Sequence, residues 1–259
     1  MIDFAYAAAG GLTGFVVGLT GVGGGALMTP ILLLVFGVSP ITAIATDLWF
    51  AALTKLVGAR IHNGTGQVDW QVVKRLWAGS LPTALVVVIL MSWGHALVKV
   101  EWLTMAIGVV ILITALGLIL APKLAQMAKG RRIEDPAKFK HLQPGLTLFS
   151  GAVLGVCVAL TSVGAGALGS VMLLYLYPLR MTPHRLVATD LVHAIPLAAV
   201  AGFGYLFAGM VDWFMLASLL TGSIPAIIVG SLLARRISGR WIQLALAFVL
   251  ILAAIKTLI

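Results

Sequence analysis

The chain has 259 residues, of which 61% are hydrophobic and only 10% charged, with a mean hydropathy of +1.11. A water-soluble domain needs far more polar surface than this, so the composition excludes a soluble globular fold. The net charge of +9 is no nucleic-acid footprint, because the basic residues sit in loops between apolar runs, where the Lys/Arg bias of cytoplasmic loops accounts for them.

Ten hydrophobic segments are predicted in chain order. Five cover roughly 4–20, 26–36, 41–61, 70–93 and 101–121, and five cover 146–161, 167–178, 184–206, 212–234 and 240–259. Roughly twenty apolar residues span a bilayer as a helix, so the expected class is an all-α polytopic membrane protein. The second segment of each set is about half that length and fits a re-entrant or heavily tilted helix, which leaves eight or ten crossings open. The first segment lacks a basic leading region, so no cleavable signal peptide is read there. The single Cys157 lies in an apolar run and provides neither a disulfide framework nor a metal site. Trp70, Trp93, Trp102, Trp213 and Trp241 fall near segment ends, as an aromatic belt at the membrane interface requires.

The two sets are copies. Thr20-Gly21-Val22-Gly23-Gly24-Gly25-Ala26-Leu27 returns as Thr161-Ser162-Val163-Gly164-Ala165-Gly166-Ala167-Leu168. Ala45-Thr46-Asp47-Leu48 returns as Ala188-Thr189-Asp190-Leu191, and Val68-Asp69-Trp70 as Val211-Asp212-Trp213. Gly79-Ser80-Leu81-Pro82 returns as Gly222-Ser223-Ile224-Pro225. The organisation expected is a first transmembrane repeat over 1–121, a basic cytoplasmic linker over 122–145, and a second repeat over 146–259. The loop near His62 is flanked by Lys55, Arg60, Lys74 and Arg75, whereas its counterpart, 206–212, has no Lys or Arg. The loop before Glu101 is nearly balanced, whereas its counterpart carries Arg235, Arg236 and Arg240. Opposite bias in equivalent loops predicts inverted-topology repeats with the N-terminus outside.

Four glycines at 21, 23, 24 and 25 interrupt the first apolar stretch. Broken backbone at membrane depth is tolerated where it lines a cavity or is buried in protein. A helix starting after such a break points free N–H groups and its positive dipole end into it, which favours an anion. The candidate substrate-binding residues are therefore Thr20, Gly21, Gly23, Gly24, Gly25, Thr161, Ser162, Gly164 and Gly166, with Thr29 and Ser170 as further hydroxyl donors. The alternative is a small-residue packing surface. The spacing Gly21-x-Gly23-x-x-Ala26 also fits a dinucleotide fingerprint, but that motif needs a strand–turn–helix setting that the apolar flanks exclude.

Asp47 and Asp190 each fall about two turns into a segment that opens on a hydroxyl and a proline, Ser39-Pro40 and Thr182-Pro183. Intramembrane carboxylates are costly and mark ion or proton pathways, so both are candidates for coupling or gating. Thr46 and Thr189 are their candidate hydroxyl partners, and His193, three residues beyond Asp190, is a candidate for sharing its proton. The alternative is that each aspartate only locks helix packing. Lys55 and Arg60 are expected to snorkel to the interface, with attraction of a cytoplasmic anion as the other reading.

As a set these motifs closely resemble the sulfite exporter TauE/SafE family, also called the toluene-sulfonate uptake permease family. The matching residues are Gly-x-Gly-Gly-Gly at 21–25 followed by Pro30, Ala-Thr-Asp-Leu at 45–48 and 188–191, Val-Asp-Trp at 68–70 and 211–213, and Gly-Ser-x-Pro at 79–82 and 222–225. The resemblance covers everything except 122–145. It implies a bacterial inner-membrane carrier of small sulfur-containing anions such as sulfite or organosulfonates. Many members carry serine where this chain has Asp47 and Asp190, so the resemblance is to an aspartate-bearing subset and makes proton coupling a natural expectation.

The expected function is thus a secondary transporter, an exporter working by alternating access, with a small anion, the lipid bilayer and protons as partners. No cofactor, metal or nucleic acid is expected. A passive anion channel and a cation–proton exchanger using Asp47 and Asp190 are the rivals. An intramembrane enzyme using Asp190 and His193 is disfavoured because no nucleophile is placed beside that pair.

Overall fold

The computed structural model describes residues 2–20, 25–62, 68–94, 100–134, 136–233 and 239–259. Among them the chain forms ten helices: α1 (Phe4–Thr20), α2 (Gly25–Leu34), α3 (Pro40–His62), α4 (Trp70–Gly94), α5 (Val100–Glu134), α6 (Pro136–Thr161), α7 (Ala167–Leu176), α8 (Pro183–Phe207), α9 (Trp213–Leu233) and α10 (Gly239–Leu258). Six of these (α3, α4, α5, α6, α8 and α9) are long and apolar enough to cross a membrane. The protein is a polytopic membrane protein. Backbone bonded within each helix is what a hydrocarbon solvent demands. At ten residues each, α2 and α7 reach only about 15 Å, half the hydrocarbon thickness.

The helix starts follow from their caps. The Thr182 hydroxyl accepts the Arg185 N–H ahead of Pro183, and the Ser39 hydroxyl accepts the Thr42 N–H ahead of Pro40. The repeated Val-Asp-Trp stretches have the same use: Asp69 accepts the Val72 N–H, and Asp212 accepts the Met215 N–H. These carboxylates bind the orphan amides of a helix's first turn. The described residues of the polar stretch, 122–134 and 136–145, are helical, since α5 runs to Glu134 and α6 begins at Pro136. Trp70, Trp102 and Trp213 are exposed, as belt residues should be. The side chains of Trp93 and Trp241 lie outside the described residues.

Glycine sets the closest helix pairs. A side chain at Gly10, Gly14 or Gly18 on α1 would meet Leu219, Ser223 and Ile227 on α9 in turn. The matching order along both helices makes α1 and α9 parallel. On α6, Gly151 and Gly155 face Leu76 and Ser80 of α4, so those two are parallel as well. The first helix of each half therefore packs on the fourth helix of the other.

The middle pair runs the other way. Thr46, near the start of α3, accepts the N–H of Asp212, just past the end of α8. Thr189, near the start of α8, accepts the N–H of Asp69, just past the end of α3. Both bonds are 3.1 Å, and together they make α3 and α8 antiparallel. The Trp49 indole N–H bonds the Gly202 carbonyl at 3.1 Å across the same crossing. Gly108, early in α5, lies against Leu258 at the end of α10, so that pair is antiparallel too. The main apolar core runs between these crossings through Met28, Leu32, Ile44, Leu48, Ile107 and Ile111. Large apolar side chains such as Leu90, Met105, Phe248 and Leu252 point outward, where lipid takes the place of water.

Candidate functional site

The second glycine break is held by conformations that side chains resist. Gly164 and Gly166 adopt φ of 122° and 126°, and Ser162 adopts 59°. The first two lie where an L side chain clashes, which is why glycine is used there. Gly166 caps α7 without any side-chain bond. The Gly169 N–H donates to the Gly164 carbonyl at 3.1 Å and the Ser170 N–H to the Gly166 carbonyl at 2.9 Å. Thr161 is committed to the break itself: its hydroxyl donates to the Cys157 carbonyl at 2.6 Å and accepts the Val163 N–H at 3.1 Å. In the first half, Thr20 donates to the Val16 carbonyl, Gly25 opens α2, and Gly21, Gly23 and Gly24 lie outside the described residues.

Asp47 and Asp190 are fully buried, on the antiparallel pair α3 and α8. The partner of Asp47 is not Thr46. Thr29 on α2 donates to Asp47 Oδ2 at 2.5 Å, and Ser162 from the second break lies beside the same carboxylate. Thr46 and Thr189 are instead spent on the backbone bonds to Asp212 and Asp69. Asp190 rests against α7, where a side chain on Gly169 would come within 2.8 Å of its Oδ1. Among the described residues, both Asp190 oxygens and the Ser170 hydroxyl are buried without a hydrogen-bond partner, and Asp47 Oδ1 and the Ser162 hydroxyl have none beyond each other's carboxylate–hydroxyl contact. Such groups are expensive in a low-dielectric interior.

His193 does not bond Asp190. Its Nε2 lies 3.0 Å from the Ser80 hydroxyl on α4, and its carbonyl accepts the Trp77 indole N–H. The Gly-Ser-x-Pro repeat thus supplies a partner that spacing along α8 did not reveal.

Lys55 corrects the snorkelling expectation. It is 2% exposed, and its ammonium donates to the Ala165 carbonyl in the second break at 2.7 Å. It interacts electrostatically with both Asp190 and Asp47. Along the second break, Ser162 meets Asp47, Ala165 meets Lys55, and Gly169 meets Asp190. One stretch of chain from the second half therefore lines three ionisable groups drawn from α3 and α8. Arg60, by contrast, is exposed.

A separate ion-pair group closes one end of the bundle. Arg180 meets Asp69 at 2.6 Å and Arg185 reaches it at 3.4 Å, while Arg180 also donates to Gln71. Arg180 lies in the stretch where the second half has two residues more than the first, between the Thr20/Thr161 and Asp47/Asp190 pairs.

The family model described as "Sulfite exporter TauE/SafE" matches residues 6–257. A relative named "Probable membrane transporter protein YjnA", from Bacillus subtilis (strain 168), is 35% identical over 246 residues, 94% of each chain. A "Probable membrane transporter protein" of Xylella fastidiosa (strain Temecula1 / ATCC 700964) is 26% identical over 95% of this chain and 90% of its own length. A third, "Probable membrane transporter protein YdhB" of Bacillus subtilis (strain 168), is 26% identical over 85% of each. No solved structure matches the chain. The family match over nearly the whole multi-helix membrane bundle and the YjnA relative agree, and the chain belongs to the sulfite exporter TauE/SafE family of membrane transporters.

Proposed function

We propose that the chain is a secondary transporter that exports small sulfur-containing anions, such as sulfite or organosulfonates, across the bacterial inner membrane. The two halves, 1–121 and 146–259, act as inverted repeats joined by a cytoplasmic connection over 122–145. The antiparallel α3–α8 and α5–α10 pairs support this, because equivalent helices of inverted repeats run in opposite directions. Alternating access comes from rocking one repeat against the other about these crossings.

The observation that carries the reading is the second break, whose open backbone lies against Lys55, Asp47 and Asp190. A small anion held there meets a buried cation, hydroxyls and the start of α7, and two carboxylates stand ready to exchange protons. The proposed substrate contacts are Thr20, Gly21, Gly23, Gly24, Gly25, Ser162, Gly164 and Gly166, with Thr161 shaping the break. Asp47 and Asp190 couple or gate the movement, while Thr46, Thr189 and His193 hold the frame around them.

Purified protein in liposomes loaded with sulfite or a short sulfonate tests this. The expected result is saturable efflux that is accelerated by the same anion on the opposite side. Flux linear in concentration without such counterflow identifies a channel instead. Sodium or potassium driving proton movement, with no anion flux, identifies a cation–proton exchanger.

A further inference from the structure

Resting on the reading of the chain as an anion carrier, we infer that Lys55 is the counter-ion of the bound anion, and that the Asp47–Lys55–Asp190 cluster sets a ratio of one proton per singly charged anion. Lys55 has three N–H donors. One is bonded to the Ala165 carbonyl, its one bond among the described residues, which leaves two for a ligand. Among the described residues neither Asp190 oxygen has a hydrogen-bond partner, Asp47 Oδ1 has none beyond the neighbouring Ser162 hydroxyl, and all three atoms are buried.

The charge count then fixes the stoichiometry. With both carboxylates ionised the cluster carries one net negative charge, and a net charge is strongly disfavoured away from water. The empty site is neutral with one carboxyl protonated. An anion of single charge beside Lys55 restores a net negative charge, and protonation of the second carboxyl removes it. A dianion would need a third carboxyl that the cluster lacks, so the site selects monoanions.

Among the described residues, the groups in electrostatic contact with the cluster are its own three members and the His193 imidazole. The described residues of α2, α7 and α9 carry no carboxylate, ammonium or guanidinium. His193 on α8 faces Ser80, Cys157 is the titratable group on the inner part of α6, and Tyr205 on α8 donates to the Ala159 carbonyl. Asp69 is paired with Arg180 and Arg185 at the end of α3. Lys74 and Arg75 sit in the first turns of α4, and Lys140 and His141 lie near the outer end of α6.

The test uses liposomes with an internal pH dye and an imposed potassium–valinomycin potential, with methanesulfonate as the monoanion and sulfate as the dianion. Wild-type protein is expected to carry methanesulfonate with one proton each, at a rate indifferent to the potential, and to carry sulfate at least tenfold more slowly. Asp190→Asn, which stands in for the carboxyl already protonated in the empty site, should keep one proton per methanesulfonate, whereas Asp47→Asn with Asp190→Asn should move methanesulfonate without a proton and become potential-driven. Lys55→Met should lose at least tenfold in methanesulfonate flux. If that variant does not fold, the double variant Lys55→Met with Asp190→Asn, which removes cation and carboxylate together, is expected to fold and to show the same loss. Wild-type flux that is driven by the potential without proton movement overturns this inference alone, as does unchanged flux in the Lys55 variants. Wild-type liposomes that carry none of the sulfur anions overturn the transport reading and this inference with it.

Discussion

Replacing Gly14 by alanine should push α1 away from α9. The new Cβ would lie 2.6 Å from both the Ser223 carbonyl oxygen and its hydroxyl, and 2.7 Å from its Cα. Two of these three atoms are backbone, so no rotamer change relieves the clash. Restoring ordinary contact needs a separation of about 0.8 Å, and a gap of that size forfeits a quarter to a half of each dispersion contact along the seam. Over-packing of this kind costs about 1–3 kcal/mol. Alanine's better helix propensity returns about 1 kcal/mol, leaving a net loss of about 0–2 kcal/mol. Gly145→Ala on α6 is the matched control: it is an exposed helical glycine with nothing within 4 Å of the added carbon, so only the propensity gain applies. Thermal unfolding followed by tryptophan fluorescence in one detergent should show Gly14→Ala melting lower than wild type and Gly145→Ala equal or higher. At about 2–4 °C per kcal/mol the two should differ by several degrees. Identical shifts in the two variants would refute the close parallel α1–α9 packing.

Thr29→Val keeps the shape of the side chain but removes the donor to buried Asp47, and the loss of such a charge-assisted bond costs about 1.5–3 kcal/mol; urea or thermal unfolding in detergent measures it, and Ser39→Ala at the exposed start of α3 should cost less. Arg180→Ala strips Asp69 of its nearer cation and, discounted for the exposure of Arg180, should cost about 1 kcal/mol, whereas Arg180→Lys should recover only part because it loses the guanidinium fork. In a Cys157→Ser background, Ile2→Cys should react with an impermeant maleimide added outside intact cells and Lys140→Cys only after permeabilisation; the reverse pattern would invert the proposed orientation.

Helix starts were legible because the chain writes them in local chemistry. Ser39-Pro40 and Thr182-Pro183 cap the helices they precede as read, while Asp69 and Asp212, read only as repeated motif residues, prove to be caps as well. The ends of α5 and α6 at the centre of the chain were not, because hydropathy reports where the membrane stops. Lys, Arg, Glu, Gln and Ala beyond Ala121 are good helix formers in water, and the helix simply continues. The aspartates stood out as lone carboxylates in apolar runs, but their partners did not. Thr46 and Thr189 neighbour them in sequence yet point to the other half, while Thr29 comes from a different helix. Lys55 looked like an interfacial cation because eight residues of spacing give its rotation relative to Asp47. Its depth depends on Ala165, more than a hundred residues away. Contacts of that kind are set by how the halves interlock, which no periodicity within one half records.

That interlock bears on how the protein is made. α4 leaves the ribosome shortly before its mate α6, but α1 must wait for α9 before anything covers its glycine face. During that interval the first half holds an unmated helix, and it also holds α4, whose Gly79 stands where α9 has Gly222. A half released on its own would carry both complementary surfaces, but because the native pairs are parallel they would fit only a second copy inserted in the opposite orientation. The finished chain is in this sense such a pair closed covalently, with α5 and α6 meeting between the halves to hold each first half beside its own second half.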